Sequence, residues 1–362
     1  MPSLNHKNLP DNTVLSLIAP TASGKTDLAC KLYDTGRFEL ISVDSALIYR
    51  DMNIGTAKPT DAELAQFPHH LVDIIDPTEV YNVANFVTDV KSLIEQIHNK
   101  GKIPLLVGGT MMYYMALFDG LSAVPDTDPK IRQKVANWLY NQGIDELYAY
   151  LQKHDPKICN KLKITDTQRI TRAVEVHLQT DVAMSVWQTT PKQALCHDTS
   201  KQWIGLSVCP DRAWLHDRIA LRLDMMWQAG FIDEVIGLIR QYPTLTPTMP
   251  SMRCVGYRQV LEFLAVIGHD AMMINDQMAR LSSDLQKNNK ILENLPKNHP
   301  KSNQNFVDLA CQDMKNKALY ATRQLAKRQS TWQRQLQRLN FNNTNVKITS
   351  FDSIQQLKNC LF

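Results

Sequence analysis

Nothing in the 362-residue chain is long and apolar enough to cross a bilayer as a helix. Its opening, MPSLNHKNLPDNT, lacks the charged-then-apolar pattern of a secretory leader. A cytoplasmic location with no membrane partner is therefore expected. Cysteine is sparse and scattered, with seven residues (Cys30, Cys159, Cys196, Cys209, Cys254, Cys311 and Cys360) and no C-x-x-C pair. That odd number, spread singly, excludes a disulfide framework and a zinc site. Charge of one sign is also in short supply. Lys and Arg total 40 against 36 Asp and Glu, a net +4 that by itself does not imply a nucleic-acid partner. Internal repeats are not evident. What remains is an ordinary composition, 44% hydrophobic and 21% charged, with enough length for two lobes or one core carrying a large insertion.

Short apolar runs rich in β-branched residues predict strands at Val14–Ile18, Glu39–Val43, Ile103–Val107 and Trp203–Val208. Helical patterns such as Val83–Asn99 alternate with them, which argues for a parallel sheet with helices on both faces. Residues 1–12 read as a flexible N-terminus and 13–125 as the first part of this α/β core. From about Asp126 to Ser200 strand signals stop, and helices are expected at Pro129–Asn141, Ile144–Lys153 and Thr167–Gln179. Segment 126–200 is thus a helical insertion, after which the core resumes over 201–340 with a long helical stretch from about Arg212 to Gln241. Residues 284–305, rich in Asn and Lys with two prolines, read mostly as a flexible loop, and 341–362 as a C-terminal tail.

The segment VLSLIAPTASGKTDLA (14–29) has the layout of a P-loop: a strand, a small-residue turn and a Gly-Lys-Thr entering a helix. Such a turn, Ala19-Pro20-Thr21-Ala22-Ser23-Gly24-Lys25-Thr26, aims backbone N–H groups and the positive helix end at an anion. Lys25 adds a point charge and Thr26 can hold Mg²⁺. Ala19 replaces the first glycine of the motif, which alanine can do wherever φ stays negative. An NTPase would also show a strand ending in Asp, yet KIPLLVGGT ends in two glycines and a threonine. The acid lies on another strand, at Asp44 in FELISVDSALIY. In open α/β sheets that edge carries ligands, so Asp44 and Thr110 fall beside the phosphate loop; the bland reading makes each a cap for the helix that follows.

Residues 313–340 hold seven Lys or Arg against one acid, Asp313. Within the expected basic helix 313–339, Leu325, Trp332, Leu336 and Leu339 form an apolar stripe, with Arg323, Lys327, Arg334 and Arg338 on another side. No acids intersperse over 321–339 to pair with them, which favours contact with phosphate over a merely solvated face.

Together PTASGKT, ISVDSALIYRDMNIGTAKP, IPLLVGGTMMYY, RCVGYRQ and ATRQLAKRQSTW resemble the tRNA dimethylallyltransferases, also called tRNA isopentenyltransferases, in the family's order. The resemblance implies a P-loop NTPase-like parallel sheet with flanking helices and a helical insertion, and Mg²⁺ as cofactor. It implies transfer of a dimethylallyl group from its diphosphate to N6 of adenosine 37, beside the anticodon of tRNAs reading codons that start with U. The loop from Ala19 to Thr26 would then hold an isoprenoid diphosphate and not ATP. Asp44 matches the family's general base, within a tRNA-touching segment of Asp44, Ser45, Ala46 and Leu47. Thr110 matches the threonine near the reacting amine, Arg132 a contact position, and Arg222, in HDRIALRL, an arginine facing the diphosphate. Stretches matching tRNA contacts are Gln168, Arg169, Ile170, Thr171 and Arg172; Arg253, Cys254, Val255, Gly256, Tyr257 and Arg258; and Lys327, Arg328, Gln329, Ser330, Thr331, Trp332, Gln333 and Arg334. The gap between the last two stretches is longer than in most bacterial members, and the C-terminal zinc finger of eukaryotic members is missing, so the chain looks bacterial in type. The expected partners are the tRNA anticodon stem-loop and dimethylallyl diphosphate, with the enzyme a monomer. A P-loop kinase acting on a small molecule and a non-catalytic RNA-binding P-loop protein are the alternatives. His69-His70 reads as a surface turn, and the tryptophans carry no assigned role.

Overall fold

The computed structural model describes residues 4–288, 304–339, 341 and 345–362. They divide into two compact units, Met1–Met115 with Asp198–Phe362, and Ala116–His197.

The larger unit is built on a six-stranded parallel sheet: β1 (Thr13–Ile18), β2 (Phe38–Val43), β3 (His69–His70), β4 (Ile103–Gly108), β5 (Gln202–Val208) and β6 (Val346–Phe351). In space the order is β3-β2-β4-β1-β5-β6. Every residue of β1 and β4 is buried, as expected of continuous apolar runs covered on both faces. Leu15, Leu17, Leu40, Leu105 and Leu206 pack with Leu28 and Leu32 of the helix Lys25–Tyr33 and with Leu357 and Leu361 of the last helix, Ile354–Leu361. Each such leucine contributes roughly 1.5–3 kcal/mol by leaving water.

One register feature sets up the site. Gly108, the last residue of β4, is level with Ile18 on one side and Val43 on the other. The carboxyl ends of β1 and β2 therefore stop at the same height, one strand apart. Glycine is required there, because a Cβ on Gly108 would sit 2.0 Å from the Val43 carbonyl oxygen.

Several elements differ from expectation. The stretch 212–241 is two helices, Arg212–Gln228 and Phe231–Gln241, broken at Gly230, whose φ of +92° favours glycine. The expected C-terminal tail is not a tail, since it supplies β6 and the helix Ile354–Leu361. His69-His70 is not a turn but the short edge strand β3, paired with Leu40 and Ile41. Most of 284–305 lies outside the described residues; its first residues continue the helix Asp276–Lys287 and its last open the helix Gln304–Gln337. At the N-terminus, residues 4–12 include a short 3₁₀ turn, His6–Asn8, with the His6 ring nitrogen Nδ1 2.8 Å from the Leu361 carbonyl oxygen.

The long helix Gln304–Gln337 starts nine residues before the expected basic helix and buries a different face. Leu336 is fully buried, but Leu325 and Trp332 are only partly so, and the inner line runs Ala326, Gln329, Gln333, Leu336. Gln333 donates from Nε2 to the carbonyls of Ile18 and Val208, both at 3.1 Å. Gln337 follows one turn on, donating to Ser207 Oγ at 2.9 Å. Glutamines at i, i+4 and i+8 thus line the inner face in place of Leu325 and Trp332.

The smaller unit is helical, with Pro129–His154, Pro156–Cys159, Thr167–Thr180 and Met184–Trp187 around Val135, Leu147, Leu151, Ile170 and Val174. Its first helix runs through the two segments expected separately, with a kink at Gly143 (φ 81°, ψ 178°).

Candidate active site

The phosphate loop leaves β1 at Ala19, which is fully buried and donates its N–H to Gly108 O at 3.3 Å. Ala19 does not take a positive φ, so the missing glycine leaves this turn unstrained. The left-handed positions are Ala22 (φ 61°) and Gly24 (φ 85°). Gly24 hands the chain to the helix Lys25–Tyr33, whose first turn has no side-chain cap. Its leading N–H groups have no intrahelical acceptor and point at the loop's concave side. Ser23 is buried there, and its Oγ has no hydrogen-bond partner among the described residues.

Two cations face this cradle. Lys25 donates from Nζ to Pro20 O at 3.3 Å, and burial together with repulsion from Arg222 lowers its ammonium to about 8. Arg222, on the helix Arg212–Gln228, is itself lowered by burial, with Asp44 opposing the shift and Arg218 adding to it. Asp44 likewise opposes the shift on Lys25. The carboxylate, the lysine and the arginine therefore share one electrostatic field. A partly desolvated Lys–Arg pair within the field of the Asp44 carboxylate suits a polyanionic ligand.

Asp44 is held by its neighbours. Its Oδ1 accepts the Ala46 N–H at 2.9 Å, a local turn in place of the helix cap that was the bland reading. Thr110 brackets it from β4's end: the Thr110 N–H donates to Val43 O at 3.1 Å, and Thr110 Oγ1 accepts the Ser45 N–H at 3.0 Å. An apolar, phenolic wall lies within the field of Asp44. Burial with the nearby carboxylate pushes the Cys254 thiol up to about 12 and raises Tyr113 and Tyr114.

Beyond Asp44 the chain is locked by Glu234. Its carboxylate accepts the N–H groups of Asn53 (3.0 Å), Ile54 (2.5 Å) and Gly55 (3.1 Å) and the hydroxyl of Tyr257 (2.5 Å). Lys58, with its side chain buried, donates to Tyr49 O at 2.7 Å and pairs with Asp73. Glu234 carried no signal in the motif reading, because it acts on main chain distant in sequence, whereas Lys58 lies within the quoted ISVDSALIYRDMNIGTAKP without having been given a role.

The expected tRNA contacts divide. On the larger unit Arg253, Arg258, Lys327, Arg328, Thr331 and Arg334 are exposed, Arg258 pairing with Glu262 at 2.8 Å. Ser45 is exposed, and Ala46, Leu47, Cys254, Val255, Ser330 and Trp332 are half-buried. Gly256, Tyr257, Gln329 and Gln333 are interior, which corrects their reading as tRNA contacts: they lie beneath the surface that a tRNA would meet. On the smaller unit Arg132, Gln168 and Arg169 are exposed and Thr171 is half-buried, its hydroxyl donating to Gln168 O. Ile170 is core and not a contact. Arg172 is turned onto Pro125 O (2.8 Å), Thr127 and Glu175.

A phosphate-loop α/β protein with a carboxylate on the cradle's own rim is the class that fold and site define. Residues 47–336 match the IPP transferase family. A tRNA dimethylallyltransferase of Psychrobacter sp. (strain PRwf-1) is 57% identical over 367 residues, covering 98% of this chain and 96% of that protein. The chain belongs to the IPP transferase family. It is also similar to the full-length tRNA isopentenylpyrophosphate transferase of Bacillus halodurans, with 26% identity, a TM-score of 0.55 and coverage of 96% and 93%. A eukaryotic dimethylallyltransferase acting on tRNA shares the fold, with a TM-score of 0.65 at 22% identity and coverage of 96% and 75%.

Proposed function

We propose that the chain transfers a dimethylallyl group from dimethylallyl diphosphate to N6 of adenosine 37 in tRNAs reading UNN codons, giving N6-isopentenyladenosine. The observation that carries this reading is that Asp44 acts on both Lys25 and Arg222 through one electrostatic field, while β1 and β2 end at one level beside Gly108. The adenine amine is a poor nucleophile because its lone pair is delocalised into the ring. It needs a proton acceptor on one side and an activated allylic carbon on the other.

The cradle answers the second need. Loop N–H groups, Lys25 and Arg222 stabilise negative charge as the C–O bond to the diphosphate lengthens. Asp44 answers the first by taking the N6 proton as the C–N bond forms. Thr110 keeps the Asp44 backbone in place from both sides. Thr26, exposed in the first helical turn, would hold a Mg²⁺ through its hydroxyl. When bound, that ion would supply further neutralisation of the diphosphate. An adenine stacked in the anticodon loop is out of reach, so it must be turned out toward Asp44. Exposed Lys327, Arg328 and Arg334 supply phosphate contacts for the anticodon stem-loop. A single chain carries both the acid and the cradle, so a monomer is sufficient.

The test is to incubate the protein with dimethylallyl diphosphate, Mg²⁺ and unmodified tRNA, then digest the RNA. Isopentenyladenosine supports the reading. ATP turnover without it would point to a kinase, and tRNA binding with neither to a non-catalytic RNA-binding protein.

A further inference from the structure

The side-chain amide of Gln329 joins two parts of the site that the motifs treat separately. Its Oε1 accepts the N–H of Thr21, inside the phosphate loop, at 3.1 Å. Its Nε2 donates to the carbonyl of Gly109, at the end of β4, at 2.8 Å. The next residue, Thr110, brackets Asp44 through Val43 O and the Ser45 N–H. One amide therefore links the anion cradle to the clamp on the carboxylate.

We propose that Gln329 is a positioning residue for prenyl transfer, setting the spacing between the diphosphate loop and the Thr110–Asp44 rim. This rests on the functional reading above. Only a side chain with an acceptor and a donor at one end fits these partners: a carboxylate lacks the donor, and a lysine or arginine lacks the acceptor. The space is closed, since a Cβ on Gly109 would lie 2.7 Å from Gln329 Nε2 and 3.1 Å from Ala19 O. Gln333, one turn further, gives the contrast. It is equally interior, but its Nε2 meets the strand-end carbonyls of Ile18 and Val208 and the Ser207 hydroxyl, and its Oε1 has no partner among the described residues. Gln333 closes the sheet edge, while Gln329 ties donor side to acceptor side. Its neighbours Lys327 and Arg328 are exposed, so the helix that offers charge to RNA also carries the tie to the loop.

The experiment compares Gln329→Met and Gly109→Ala with wild type and with Gln333→Leu. Gln329→Met keeps the length and removes both hydrogen bonds; Gly109→Ala displaces the amide without deleting it. Three quantities are read: the Kd for dimethylallyl diphosphate with Mg²⁺, the Kd for an anticodon stem-loop RNA, and the single-turnover prenylation rate with both saturating. Both Gln329→Met and Gly109→Ala should slow single turnover by about tenfold to a hundredfold, the scale of a misplaced reacting pair. The RNA Kd should stay within about twofold, since no phosphate contact is lost. Gln333→Leu should lower the melting temperature at least as much while leaving the rate within about threefold. A rate unchanged in Gln329→Met, or reduced equally by Gln333→Leu, would overturn the positioning role. Wild-type protein that binds RNA but neither binds nor uses the donor would overturn the functional reading itself, and this role with it.

Discussion

Lys25 allows a sharp check on the cradle. Its ammonium is lowered to about 8 by burial and by Arg222. A prenyl diphosphate is fully ionised above pH 7, so the remaining titration in its binding belongs to the protein. If the charged lysine alone binds, the Kd scales with one plus the ratio of neutral to charged lysine. With the ammonium at about 8, that ratio is about 0.1 at pH 7 and about 10 at pH 9. The Kd then rises about tenfold across the interval, a loss of about 1.4 kcal/mol. The sign follows from the cation: affinity is nearly complete at pH 7 and declines as pH climbs through about 8. Titration calorimetry with dimethylallyl diphosphate and Mg²⁺, without tRNA so that nothing turns over, reads the profile directly. Lys25→Arg keeps its charge throughout and should flatten the curve. Lys25→Met should be weak and flat. A wild-type Kd constant from pH 7 to 9, or the same slope in Lys25→Arg, would refute the assignment.

Three further outcomes are expected. Asp44→Asn can still accept the Ala46 N–H, yet should cut turnover roughly a hundredfold or more with tRNA affinity nearly intact, as measured by pre-steady-state kinetics and filter binding. Glu234→Gln leaves some of the four donors on that carboxylate unpaired; the cost should be roughly 2–4 kcal/mol, seen as a clear fall in the thermal midpoint. Arg334→Ala, at an exposed position, should weaken tRNA binding and reduce the salt slope of log K by about one. An unchanged slope would remove it from the phosphate set.

β1, β2, β4 and β5 were legible to within a residue because both faces of each are covered and the apolar signal is continuous. β6 was not. Val346–Phe351 has one buried residue in six, so its composition resembles a surface segment. The break at Gly230 was visible as a glycine but not as a left-handed one, since periodicity persists on both sides of it. Within the site, Lys25, Asp44 and Thr110 stood out because each follows an apolar strand. Gln329 and Gln333 could not be told from surface glutamines, because only the fold brings backbone partners more than a hundred residues away against them. Ile170 and Tyr257 teach a related lesson: a motif marks residues that hold a surface in shape as readily as those that touch a ligand.

The position of β6 has a consequence for the sheet's edge. The outer strand on this side follows the long helix Gln304–Gln337 in the chain, and the helix after it meets His6. Without Val346–Phe351, one side of Gln202–Val208 would lie bare. The exposed border would be largely apolar. Such a border invites pairing with other chains, so substitutions that unseat β6 should favour self-association.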